Sequence, residues 1–248
     1  MRALLLMLAL TCCAGNAAAD AIDAAIADPS RSAADRERDQ RDHPADLLRF
    51  IGVKPGMTVL DMFAGGGYYS ALLGQIVGSN GRVYLHNNAA YLGFVGSALS
   101  DRLANGPLAN VVRLDAEIGA LGIPAGSVDL VLLVMSYHDL YFTSEDWSVD
   151  PAAFFAEVNA MLKPGGVLAV VDHAALPGTG STAAQELHRI DEAFARQDIE
   201  SRGFRLTGTL DLLRNADDDH TKSVFDPSIR GHTDRFVMRF VKAEPRTP

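Results

Sequence analysis

Apolar positions along the chain fall into short runs separated by glycine- and asparagine-bearing turns, and the runs alternate between two periods. Val59 and Leu60 close one run at Asp61, three glycines follow at Gly65, Gly66 and Gly67, and Tyr68 to Val77 (YYSALLGQIV) carries apolar residues at helical spacing. This succession predicts a strand, a tight turn and a helix start. The glycines permit positive φ and close backbone approach, and the first amides of the helix are left free. In an open parallel sheet a ligand lies across such a turn, outside the carboxyl end of the strand. Asp61 then faces solvent or a polar ligand group, because burying it unpaired is costly.

The same alternation continues downstream. Arg82 to His86 (RVYLH) predicts a second strand with Asn87 and Asn88 at its end, which gives a βαβ unit long enough for a right-handed crossover. Ala89 to Leu103 predicts a helix, and Val111 to Leu114 a third strand ending at Asp115. Val128 to Met135 (VDLVLLVM) is apolar on both faces, as a central parallel strand covered by helices requires, and it runs into Ser136-Tyr137-His138-Asp139. Pro151 opens a helix to Leu162, and Lys163-Pro164-Gly165-Gly166 turns the chain into a fifth strand, Val167 to Asp172. A helix from Ala183 to about Ser201 and two strands, Phe204 to Leu210 and Arg235 to Val241, complete the pattern. Strands alternating with helices predict an α/β fold, a doubly wound and mostly parallel sheet with helices on both faces. The polar stretch Leu213 to Asp234 is too long for a plain connection and reads as a cover over a substrate.

The N-terminal part has a different character. Arg2 precedes an apolar run, Ala3 to Leu10, and small residues continue to Ala19, the pattern of a secretory signal cleaved before Asp20. That run is too short to span a bilayer. The expected product is an exported, periplasmic protein with no transmembrane span. Cys12 and Cys13 both fall inside the signal, so the mature chain would hold no cysteine. Acylation of one of them as a lipid anchor, or a later start with a cytosolic protein behind it, are the alternatives. Ala21 to Asp28 is weakly helical, Pro29-Ser30 breaks it, Ser32 to Gln40 reads as a solvated helix or linker, and His43-Pro44 marks a boundary. The division is thus a signal over 1–19, an extension over 20–44 and one domain over 45–248.

Composition narrows the partners. With 22 basic against 31 acidic residues the net charge is −9, which argues against a nucleic acid or an anionic membrane surface and leaves a small molecule.

The chain resembles the class I S-adenosylmethionine-dependent methyltransferases over about Asp46 to Val241, on VLDMFAGGG, VDLVLLVMSYHD and LKPGGVLAVVD. The resemblance implies a seven-stranded sheet whose last two strands form an antiparallel pair, and S-adenosylmethionine as cofactor. It implies that Asp61 and the Gly65, Gly66 and Gly67 backbone hold the methionine end. Asn87 or Asn88 would face the ribose, Asp115 and Ala116 the adenine, and Ser136 to His138 the other face of the donor. Two positions depart from the family pattern. Phe63 stands where the first glycine is usual, and an asparagine where an acid binds the ribose hydroxyls.

Candidate chemistry gathers at the same sheet edge. His138 and Asp139 follow the fourth strand, and either could take a proton from a nucleophile. His173 follows the fifth strand; Tyr68 sits at the glycine turn, His188 and Arg189 in a predicted helix, and His220 and Arg230 in the late loop. These are candidate substrate contacts. No two histidines have the spacing of a helical zinc site, so no metal is expected. Two further possibilities stay open: a binding module that keeps the fold without methylating, and a metal-assisted hydrolase using His138, His173, His188 and His220.

Overall fold

The structure is a computed structural model that describes residues 17–104 and 109–243. The apolar run and the two cysteines of the expected signal lie outside the described residues.

Seven strands form one sheet in the order β3-β2-β1-β4-β5-β7-β6. They are β1 (Thr58–Met62), β2 (Arg82–Asn87), β3 (Val111–Asp115), β4 (Val128–Val134), β5 (Leu162–His173), β6 (Phe204–Thr209) and β7 (Arg235–Lys242). The first five run parallel, and β7 pairs antiparallel with both β5 and β6. The alternation of side chains explains the unbroken apolar runs. Leu130 and Leu132 of β4 pack on one face while Val131 and Leu133 pack on the other, and all four are fully buried. Each such side chain contributes roughly 1.5–3 kcal/mol, so β4 anchors both halves of the core.

The chain winds outward from β1 through β2 to β3, then returns to place β4 on the other side of β1. The crevice at a topological switch point therefore opens between the carboxyl ends of β1 and β4.

The segment expected as a solvated extension is packed. A helix over 17–27 (α1) buries Ile22 and Ala25 against α3 (Pro44–Ile51) and α4 (Tyr68–Val77). Helix α2 (Ala33–Asp42) is polar along its length, yet its charges are paired inward. Arg31 forks onto Asp39 at 2.6 Å, and Asp42 lies between Arg38 and Arg235 at 2.6 and 2.8 Å. The residue before Pro44, His43, is left-handed at φ 43°, which separates the two helices.

Two expected helices are broken. The stretch after β2 divides at Gly96 into α5 (Ala89–Val95) and α6 (Ala98–Ala104). The stretch expected from Ala183 to Ser201 divides into α8 (Ala184–Leu187) and α9 (Glu192–Ser201), with His188 left-handed at φ 53°. Helix α7 (Pro151–Met161) leads into β5. Among the described residues no helix is long and apolar enough to cross a membrane.

Candidate functional site

The glycine turn has the expected backbone. Gly65 and Gly67 are left-handed at φ 58° and 77°, and Gly67 caps α4. A Cβ on Gly67 would lie 3.0 Å from Leu85 Cδ1 and 3.3 Å from Arg102 Cδ, so close packing as well as φ demands glycine. Arg102 is there because its Nε donates to the Gly66 carbonyl at 2.6 Å while its guanidinium forks onto Asp35 at 2.8 and 2.9 Å. Helices α2 and α6 thus cover the turn.

Asp61 faces neither solvent nor the crevice. It is 2% exposed, and its Oδ2 accepts from Ser70 Oγ at 2.5 Å. Burial pushes its pKa up to about 6, with the Ser70 hydrogen bond and the Arg38 charge opposing. Asn87 is stitched to the turn: its Oδ1 accepts from Gly65 N at 2.8 Å and its Nδ2 donates to Gly65 O at 3.0 Å. Asn88 caps α5 by accepting from Tyr91 N at 3.0 Å, and it donates to Glu117. Asp115 is exposed and paired with Arg113 Nε at 2.9 Å, and Ala116 bonds Asn87 and His86 through its backbone. The groups expected to meet ribose and adenine are therefore engaged with the protein itself.

Aromatic side chains fill the crevice. Phe63 is left-handed at φ 51°, and its buried ring lies 5.1 Å from His86, 5.1 Å from Tyr91 and 5.2 Å from Trp147, centroid to centroid. His86 is neutral by its bonding, accepting from Phe63 N at Nδ1 and donating to Ala116 O from Nε2; burial lowers its pKa. Tyr91 closes the other side, its hydroxyl donating to Asp139 Oδ2 at 2.8 Å with the buried Ser136 beside it. These contacts link the carboxyl ends of β1, β2, β3 and β4 in one continuous plug.

Beyond the plug lies a compact polar cluster. Asp172, fully buried at the end of β5, accepts from His138 N at 2.7 Å, His138 Nδ1 at 2.8 Å and His173 N at 2.7 Å. His138 Nε2 lies 3.2 Å from Asp139 Oδ1, and His188 Nδ1 lies 3.6 Å from the same oxygen. Burial alone would lower the His138 pKa, but Asp172 and Asp139 outweigh it and push it up to about 10. Burial would raise that of Asp139, and the His138 charge instead holds it well below the usual carboxylate range. With both acids beside it the ring is held toward its protonated form, and that proton must leave before Nε2 can accept one or bind a ligand. A general base at His138 would need that proton to leave first.

Sequence spacing does not foretell the arrival of His188. It is delivered by the helix break, which is pinned by Arg189. That side chain is fully buried and donates to Ala174 O, Lys222 O and Asp218, each at 2.9 Å. Arg189 is thus a structural pin rather than a substrate contact. Asp191 caps α9 by accepting from Ala193 N, and the Asp-Glu pair at 191–192 was the one sequence signal of a second helix start. Asp172 and Tyr91 likewise belong to the site without being singled out by the sequence pattern. For Asp172 its place at the carboxyl end of a strand was the available signal.

The remaining candidates lie apart. Tyr68 donates to Asp39 Oδ1 at 2.5 Å beneath Arg38 and holds α2 in place. His173 Nδ1 bonds Thr233 Oγ1 at 2.7 Å, and its ring is 5.9 Å from that of His138. His220 pairs with Asp234 at 3.0 Å in a separate groove of about 680 Å³ lined by Asp191, Arg214 and Asp218. Arg230 is exposed. The four histidines therefore do not converge, as a hydrolase using all of them would need. The late loop is tied down by Asp218, which accepts from Asp234 N at 2.7 Å, and it lays Phe225 4.9 Å from the His188 ring.

Residues 60–170 match the family model described as a methyltransferase domain. The ubiquinone/menaquinone biosynthesis C-methyltransferase UbiE of Shewanella oneidensis is 31% identical over 126 residues, 50% of this chain and 46% of that protein, so the chain spans about half the length of the curated relatives it matches. A SAM-dependent methyltransferase from Aquifex aeolicus superposes with a TM-score of 0.61 at 22% identity, over 87% of this chain and 94% of that one. The fibrillarin of Aeropyrum pernix, in complex with natively bound S-adenosyl-L-methionine, does so at 0.50 and 14% identity, over 76% and 68%.

Residues 60–170 are a methyltransferase domain, carried on the fold of the class I S-adenosylmethionine-dependent methyltransferases.

S-adenosylmethionine is the cofactor that goes with this domain. The glycine turn of the methyltransferase fold is intact, but the Phe63, Tyr91 and Trp147 rings pack on one another at 5.1 to 5.4 Å across the crevice, and Asn87 is turned onto Gly65. In this arrangement those rings and the Asn87 side chain must move for the cofactor to lie along the turn.

Proposed function

We propose that this protein transfers a methyl group from S-adenosylmethionine to a small-molecule acceptor outside the cytoplasm, and that the arrangement described is its closed state. The observation that carries this reading is the position of the His138, Asp139 and His188 cluster. It stands at the carboxyl edge of β4 and is joined to the glycine turn through Tyr91 and Phe63. A polar acceptor held by the cluster would lie next to a donor in the crevice. Opening requires α5 to leave, and α5 has no fully buried residue and ends at the left-handed Gly96. The net charge of −9 favours a small acceptor over nucleic acid, and the apolar N-terminal run ending in small residues supports export.

Phe63 favours a second reading, in which the fold binds a ligand without methylating. One titration decides between them. Isothermal calorimetry with S-adenosylmethionine and S-adenosylhomocysteine is run on the wild-type chain and on Phe63→Gly. Binding by the wild type that tightens in the variant supports the methyltransferase reading. No heat from either protein at millimolar ligand overturns it and leaves the binding module.

A further inference from the structure

We propose that His138 Nε2, Asp139 Oδ1 and His188 Nδ1 form a binding site for one divalent transition-metal ion of the zinc class. The three atoms lie within 4.8 Å of one another, with 3.2 and 3.6 Å between the shared carboxylate oxygen and the two imidazole nitrogens. Ligands bonded at about 2.0–2.1 Å around a tetrahedral ion are separated by about 3.4 Å, so both histidine–carboxylate edges already match, and the two imidazole nitrogens, at most 4.8 Å apart, close on the ion by movement of the partly exposed His188 ring. Two imidazoles and one carboxylate are a donor set suited to zinc and its neighbours, and they leave a further coordination position open.

The surroundings are those of a built site. Asp172 accepts from His138 Nδ1 at 2.8 Å and from the backbone amide of the same residue at 2.7 Å, which fixes the ring and directs Nε2 at Asp139. A buried carboxylate behind a histidine is the outer support that metal-ligating imidazoles ordinarily have. Tyr91 occupies Asp139 Oδ2 at 2.8 Å and leaves Oδ1 as the oxygen that both histidines face. His188 reaches that oxygen only because it adopts a left-handed conformation uncommon for a residue with a side chain. The chain is locked there by the buried Arg189 and by the bridge between Ile190 and Ala174. Strain of that kind, over-determined by its surroundings, clusters at functional sites. Phe142 and Phe225 flank the His188 ring at 4.8 and 4.9 Å and shelter the site, while His188 retains 21% exposure as a route of entry.

The inference does not depend on methyl transfer, and its test reads metal alone. The untagged full chain, prepared without chelator, is analysed for metal content and then titrated as apoprotein with Co²⁺. About one equivalent of metal and visible d–d bands saturating at about one equivalent are expected. His188→Asn, chosen because asparagine tolerates the left-handed backbone, abolishes the bands, whereas His220→Ala retains them. Asp172→Asn keeps the stoichiometry and weakens affinity by about 10–100-fold. Absence of Co²⁺ bands from the wild-type apoprotein, or undiminished binding by a folded His188→Asn variant, overturns the site.

Discussion

The Tyr91 hydroxyl donates to the Asp139 carboxylate at 2.8 Å across 48 residues of sequence, and it ties a surface helix to the end of the central strand. Because α5 has no fully buried residue, this bond and the aromatic contacts of Tyr91 hold it over the crevice. Tyr91→Phe keeps the ring and removes the bond to a charged acceptor, a loss of about 1.5–3 kcal/mol. Amide exchange in α5 should then accelerate. If closure opposes cofactor binding, affinity for S-adenosylhomocysteine should rise by about tenfold for each 1.4 kcal/mol removed from the closed state. Unchanged affinity with faster exchange would separate the helix from any gating role.

Phe63 combines an unfavourable backbone with favourable packing, and two substitutions separate these effects. Phe63→Ala empties part of the plug at a cost of about 3–5 kcal/mol and keeps a side chain at φ 51°. Phe63→Gly empties the same space but relieves a left-handed penalty of about 1–2 kcal/mol. Glycine should therefore be the more stable of the two variants by about 1 kcal/mol in urea denaturation, the reverse of the usual order.

Asp61 couples stability to pH. Its folded pKa, about 6, lies above the ordinary 3.8, so the folded state binds the proton more tightly. The stability this gives is fully present below about pH 4 and is lost as pH rises through 6. A shift of that size corresponds to about 3 kcal/mol. Carboxylates held low, such as Asp42 beside Arg235 and Arg38, contribute with the opposite slope, so the wild-type profile is a sum. The difference between Asp61→Asn and wild type isolates the residue: the variant should gain about 3 kcal/mol relative to wild type between pH 4 and 7. A flat difference profile would mean that Asp61 is not buried as a lone carboxyl.

The sheet was legible because its signal is periodic. A run such as VDLVLLVM, apolar on both faces, has few alternatives to a central parallel strand, and the glycine turn announces a strand-to-helix connection. The site was only half legible, because sequence tells which residues reach a sheet edge and not which way their side chains turn. The pattern puts Asp61 at a strand end, but its bond to Ser70 turns it under α4. The resemblance puts Asn87 or Asn88 beside a ribose, and here Asn87 bonds Gly65 while Asn88 caps α5. His188 looked like a mid-helix residue because Ala183 to Ser201 contains neither glycine nor proline. The interruption comes from tertiary contacts of Arg189 with residues about thirty positions away, which no local propensity encodes.

That long-range pin is open to a direct test. Arg189 and Asp218 form a fully buried pair at 2.9 Å, and removing one partner leaves the other charge buried and unpaired at a cost of about 3–5 kcal/mol. Arg189→Met and Asp218→Leu should each lower the urea midpoint accordingly. The double variant should lose much less than the sum, since two apolar side chains of similar volume leave no stranded charge. Their local effect is distinct from the global one. Without the guanidinium holding the Ala174 and Lys222 carbonyls, the break between α8 and α9 has no reason to keep His188 left-handed. The imidazole should then leave Asp139 even in a double variant of near wild-type stability. Chemical shifts of the His188 ring in that variant report the change, and a ring signal that does not move would mean that the bridge between Ile190 and Ala174 suffices to place it.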